Sequence, residues 1–191
     1  MCARRDPDAG TLSVGSGIVP HVTTETGERD FDFLHGSWDV RHSFLRERLA
    51  GSEDWDHASG RAVCAPILDG AGNLDQIGLP HRDAVGATLR LFDRDAGVWR
   101  LHWLASDSPR LEPPMEGSFT QGVGTFFGAD HLDGRAIVVR FLWDDIGRRH
   151  ARWTQAFSLT GTEQWEPNWI MEFTRTSDAA DSATTATIEL T

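Results

Sequence analysis

His42, Gln155 and Arg140 are the residues whose types and settings could do chemistry on a bound molecule. An imidazole titrating near neutrality moves protons, so His42 suits general acid–base work on an isomerisation, cyclisation, hydration or dehydration. Gln155 or Arg140 would polarise a carbonyl by donating to its oxygen. The plainer role for His42 is a single hydrogen bond to a ligand or a neighbour. His35 and His42 are seven residues apart, which on a strand rising about 3.3 Å per residue is roughly 20 Å or more, too far for one metal. No His-x-His, His-x-x-x-His or Cys-x-x-Cys occurs, and no metal site is expected. Asp144 and Asp145 are adjacent, so on a strand they face opposite ways and form no acid–base dyad. Asp54 and Asp56 bracket Trp55 in a loop and read as rim solvation. No Ser lies in a Gly-x-Ser-x-Gly setting. Gly122-Val123-Gly124-Thr125-Phe126-Phe127-Gly128 lies in a β hairpin, not between a strand and a helix, so no nucleotide and no other cofactor is indicated.

These side chains need a scaffold, and the chain supplies short β-branched and aromatic stretches separated by Gly, Asp and Asn. Their spacing, about every 8–12 residues, is that of an all-β barrel or sandwich. Strands are predicted near Ser37–Arg46, Ala58–Leu68, Leu74–Leu79, Val85–Asp93, Val98–Ala105, Met115–Phe119, Gly122–Ala129, Ala136–Trp143, Ala151–Ser158 and Pro167–Arg175. Asp93–Gly97, Asp130–Gly134 and Thr160–Thr162 carry the Gly and Asp that hairpin turns require. Asp30–His35 has room for one helical turn, with Phe31 and Leu34 on one face and Asp30 as its cap. About ten antiparallel strands in one open sheet would leave long bare edges, so a single antiparallel up-and-down barrel is favoured over a sandwich. A barrel this wide has room for a ligand cavity.

Gly36-Ser37-Trp38 follows the helical turn, and Arg175 ends the last strand, Trp169-Ile170-Met171-Glu172-Phe173-Thr174-Arg175. This arrangement resembles the lipocalin and fatty-acid-binding-protein superfamily, the calycins. There a Gly-x-Trp after an N-terminal turn places Trp at the closed end of the barrel, and an Arg from the last strand lies over it. The resemblance implies that Trp38 and Arg175 form the barrel base, through a cation–π stack worth about 0.5–2 kcal/mol. Phe31–Val40, Gly122–Gly128 and Asn168–Arg175 also resemble a family of uncharacterised actinobacterial lipocalin-like proteins, which implies a fold and no activity. Fatty-acid-binding proteins clamp a carboxylate with an Arg and Tyr pair, whereas this chain has no Tyr. Haem barrels of the nitrobindin type use a His on a late strand, and no His follows His150.

Strand alternation then assigns faces. With Trp38 inward, Val40, His42 and Phe44 face the lumen; with Arg175 inward, so do Phe173, Met171, Trp169 and Pro167. Trp99, Leu101 and Trp103 share one face, as do Trp153, Gln155 and Phe157. Ile137–Trp143 is apolar on both faces, so the sidedness of Arg140 stays open. The expected pocket is lined by Val40, His42, Phe44, Trp99, Trp103, Trp153, Gln155, Trp169 and Met171, with Arg140, Asn73 and Asn168 as further polar candidates. Such a wall orients a mostly apolar ligand by one or two hydrogen bonds. Ala105–Pro114 and Arg46–Asp56 are the lid candidates, with Trp55 and Leu111 able to close over a ligand.

Composition limits the partners. All 18 basic residues are Arg against 29 acidic ones, and the net charge of −11 repels phosphate backbones, so no nucleic-acid partner is expected. No apolar run approaches the roughly 20 residues that cross a bilayer, so no membrane partner is expected either. No apolar stretch follows Arg4-Arg5, which with only two Cys, read as reduced thiols, suggests a cytoplasmic protein. Residues 1–27 and 178–191 are rich in small and polar types and read as flexible ends flanking a barrel domain at 28–177. The leading expectation is a binding protein for a small hydrophobic or aromatic molecule. A small-molecule enzyme using His42 is the alternative, and a structural or homodimerising module with a filled core is the third.

Overall fold

The computed structural model describes residues 27–160 and 162–178. The proposed flexible ends, apart from Gly27 and Asp178, and Cys2 with them, lie outside the described residues. Ten strands follow one another: β1 (Gly36–Leu45), β2 (Trp55–Ile67), β3 (Gly72–Leu79), β4 (Ala84–Asp93), β5 (Val98–Ala105), β6 (Met115–Thr120), β7 (Val123–Leu132), β8 (Arg135–Asp144), β9 (His150–Leu159) and β10 (Glu166–Ser177). They close into one barrel in the order β1-β10-β9-β8-β7-β6-β5-β4-β3-β2, and every neighbouring pair is antiparallel. The first and last strands pair with each other, which removes the edges that an open meander would leave. Among the described residues no helix is long and apolar enough to cross a membrane.

Two-residue turns fit the sequence. Asp133 and Gly134 both take positive φ, as do Gln121 and Gly122, the signature of a tight hairpin whose twist matches the strands. The expected helical turn is a 3₁₀ turn over Asp32–Leu34, preceded by another over Gly27–Arg29. Its N-cap position is held by Phe31 without a side-chain cap, not by Asp30.

One end of the barrel is filled. The Gly27–His35 segment tucks Phe31 and Leu34, each 1% exposed, beneath the strands. The Phe31 ring meets Trp99 edge-on at 5.0 Å, Phe119 at 4.9 Å and Trp143 at 6.0 Å. Trp99 Nε1 donates to Gly27 O and Trp38 Nε1 to Leu34 O, each at 2.8 Å. The Arg175 guanidinium lies 4.1 Å over the Trp38 ring and donates to the carbonyls of Phe33, His35 and Arg148. Gly36 has φ +117, and a Cβ there would strike Ser177 O and Arg175 Nη1, so the motif glycine is a steric requirement.

Candidate functional site at the barrel mouth

Toward the other end, alternation carries aromatic side chains from every second position of several strands into the lumen. Trp103 on β5 and Trp169 on β10 come from strands five apart either way round the barrel, yet their rings meet at 6.0 Å and 87°. Trp153 meets Trp169 edge-on at 5.2 Å, and Phe141 lies 4.8 Å from Trp153. The Trp103 ring lies against Gly86, where any side chain would collide with it. Phe44 packs between the rings of Trp169 (5.1 Å) and His81 (3.6 Å). Trp103, Phe141, Gln155 and Trp169 keep partial solvent exposure although they face inward, whereas Trp38, Trp99 and Trp143 at the base are 1–2% exposed. The base is therefore tightly packed, and the inward side chains at the opposite end are only half-buried.

The predicted pocket residues divide along this axis. Phe44, Trp103, Trp153, Gln155 and Trp169 gather at the mouth, and Val40 and Met171 are buried on β1 and β10 below them. Trp99, placed with Trp103 by alternation, belongs instead to the filled base against Phe31. Alternation assigns a face but not a height, and these two residues stand at different levels. Arg140 points outward. Its guanidinium lies 4.4 Å from the Trp165 ring on the outer wall, while Ile137, Val139, Phe141 and Trp143 take the inward phase, so Arg140 cannot polarise a bound carbonyl. Pro167 is exposed, not inward, because a β-bulge makes Asn168 the extra residue between Pro167 and Trp169.

His42 is 0% exposed, stacked on Phe44 at 5.4 Å, and its Nδ1 accepts from Trp169 Nε1 at 3.3 Å. Its Nε2 is buried without a hydrogen-bond partner, near where a Cβ of Gly60 would lie. Nδ1 is thus taken by the Trp169 indole, and neither nitrogen is exposed to solvent. Burial, reinforced by His81, lowers its pKa to about 4. Because the unfolded imidazole titrates near 6.5, the native state binds fewer protons between these values. Stability attributable to His42 is complete above pH 6.5 and is lost as pH falls to 4, by an amount on the order of 3 kcal/mol. Urea titrations at pH 7 and pH 4.5 are expected to show this slope and His42→Phe to flatten it; an equal slope in the variant would contradict the buried neutral imidazole.

Sequence reasoning missed a buried ion pair, the place of His81, and which side chains of the expected Arg46–Asp56 lid segment make its contacts. Arg90 and Asp75, on β4 and β3, form a buried pair at 2.5 Å, with Arg90 also donating to Asn73 Oδ1. Charged residues inside strands read as solvent-facing until register pairs them. His81 reaches the mouth from a 3₁₀ turn over Pro80–Arg82, for which Pro at the first position was the available signal. The cover comes from the β1–β2 loop: Leu49 packs on the core, its N–H donates to Glu166 Oε1 at 2.6 Å, and Arg48 lies 5.6 Å from the Phe157 ring. Of the residues expected to close, Leu111 is 57% exposed and Trp55 is half-buried beside Leu45 at the start of β2.

The outer wall has concavities too. One of about 760 Å³ spans β9, β10, β1 and β2, but its charged groups are already paired, Arg41 with Glu172, Arg61 with Asp39 and Arg152 with Asp144. Ser43 Oγ and His57 Nδ1 lie 3.0 Å apart beside it, and among the described residues no third group bonds the imidazole. Cys64 is buried and its thiol is pushed up to about 12 by desolvation, which makes it unreactive. Among the described residues no group of three or more His, Cys, Asp or Glu is arranged to hold a metal ion.

No protein-family profile matches the chain, and no curated protein matches it. Among solved structures, Rv2717c from M. tuberculosis is similar at 11% identity, over 79% of this chain and 98% of that chain, with a TM-score of 0.49.

Proposed function

We propose that the protein binds a small, mostly apolar aromatic molecule in the upper lumen, as a lipocalin-like binding protein. The observation that carries this reading is the pair of inward-facing indoles, Trp103 and Trp169, that meet across the lumen yet stay partly exposed above a filled base. Large aromatic surfaces left accessible inside a barrel are lower in free energy when a flat apolar molecule covers them than when water does. The Leu49 loop supplies a cover, and its hold on Glu166 is a single hydrogen bond that ligand entry can break.

Intrinsic fluorescence and calorimetry with neutral bicyclic aromatics test the proposal. Binding in the micromolar range is expected, with quenching that Trp103→Ala and Trp169→Ala each weaken by tenfold or more. Native mass spectra of gently purified protein should show a retained small molecule. No retained compound, together with no thermal shift across a metabolite panel, would leave the barrel without this role.

A further inference from the structure

Gln155 faces the upper lumen with its amide already oriented. The bulge in β10 turns Asn168 inward, where it is 0% exposed. Asn168 Nδ2 donates to Glu166 O at 3.4 Å, and that carbonyl can only accept. Asn168 therefore presents Oδ1 to its other neighbour, and Gln155 Nε2 donates to it at 2.7 Å. With the nitrogen turned to Asn168, Gln155 Oε1 is the remaining polar atom of that amide, and no protein donor among the described residues reaches it. Gln155 pairs with Trp169 on one side and Phe141 on the other, so Oε1 sits among the rings proposed to bind the ligand.

The buried Arg90 is balanced by Asp75, Arg140 lies on the outer wall, and His42 is held neutral by burial, while Arg48, over the Phe157 ring, and Glu166 are the charged groups at the mouth. A carboxylate has no hydrogen to give this oxygen and meets its lone pairs, whereas a ligand O–H or N–H gains a fixed acceptor.

We infer that Gln155 Oε1 is a fixed acceptor that selects neutral aromatic ligands bearing a phenolic O–H or a ring N–H. This rests on the binding function proposed above. Three probes separate the two claims: 2-naphthol, 2-methoxynaphthalene and 2-naphthoate, titrated by calorimetry into the full chain at pH 7. The naphthol is expected to bind at least tenfold more tightly than either the ether or the carboxylate. Gln155→Met keeps the length of the side chain and removes the acceptor, so it should abolish the preference for the naphthol over the ether. Asn168→Ala frees the amide to turn and should erode the same preference without changing residue 155. Equal binding of naphthol and ether by the native chain, or equal weakening of both by Gln155→Met, overturns the inference and leaves the aromatic binding site standing. If none of the three binds, the binding function fails and the inference with it.

Discussion

Trp38→Ala is expected to lower the stability of the fold by about 3–5 kcal/mol, the range for truncating a large buried aromatic side chain. The indole is 1% exposed, and three separate interactions end on it. Its Nε1 donates to Leu34 O and so ties the N-terminal plug to β1. Its ring meets Phe173 edge-on at 6.0 Å, and its face carries the Arg175 guanidinium at 4.1 Å. Removing the ring leaves a cavity at the closed end and strips the platform from a cation that burial already disfavours. Arg175→Ala should cost less, about 1–3 kcal/mol, because water can satisfy some of the released carbonyls of Phe33, His35 and Arg148. Urea denaturation followed by circular dichroism measures both. A nearly neutral Trp38→Ala would show that the base does not hold the barrel together.

Asp75→Ala should be comparably damaging, at about 3–5 kcal/mol, because it leaves a guanidinium unpaired in the interior. Arg90 is 3% exposed and Asp75 8%. Besides receiving Arg90 Nη2 on one oxygen, Asp75 receives the Thr88 backbone N–H on the other at 2.9 Å, so the carboxylate is saturated from two sides. Arg90 in turn lies 5.1 Å from the Phe31 ring, which links this pair to the plug. The double replacement Asp75→Leu with Arg90→Met removes both charges at similar volume and is expected to recover most of the loss, since a buried pair costs desolvation that an apolar pair does not. If the single and double variants are equally destabilised, shape rather than charge is what the pair contributes. If Asp75→Ala costs less than about 1 kcal/mol, the guanidinium reaches water and the interior is wetter than its burial indicates.

Much of the fold was legible in the residues themselves. All ten strands appear where period-two alternation and turn chemistry put them, and the Gly36-Ser37-Trp38 turn and Arg175 do meet at the base. These signals are local: alternation needs only a neighbour two residues away, and a hairpin needs only its own Asp or Gly. The candidate site was half legible. Trp103, Trp153, Trp169, Gln155 and Phe44 do share the mouth, because each sits on an inward phase of a strand with one polar face. Arg140 was not legible, since β8 is apolar on both faces and only its neighbours, Phe127 on β7 and Trp165, show which side it takes.

The amino-acid order thus determined the strand count, the antiparallel meander, the closed end and the aromatic character of the lumen, all consequences of short-range periodicity and turn residues. Tertiary structure alone decided the rest. It set the height at which each indole stands, separating Trp99 in the plug from Trp103 at the mouth. It joined Asp75 to Arg90 across two strands, buried His42 with its Nδ1 on the Trp169 indole, and through one bulged residue, Asn168, turned the Gln155 oxygen free. Register and bulges place residues far apart in the chain to within a hydrogen bond of each other, and no spacing along a single strand records that distance.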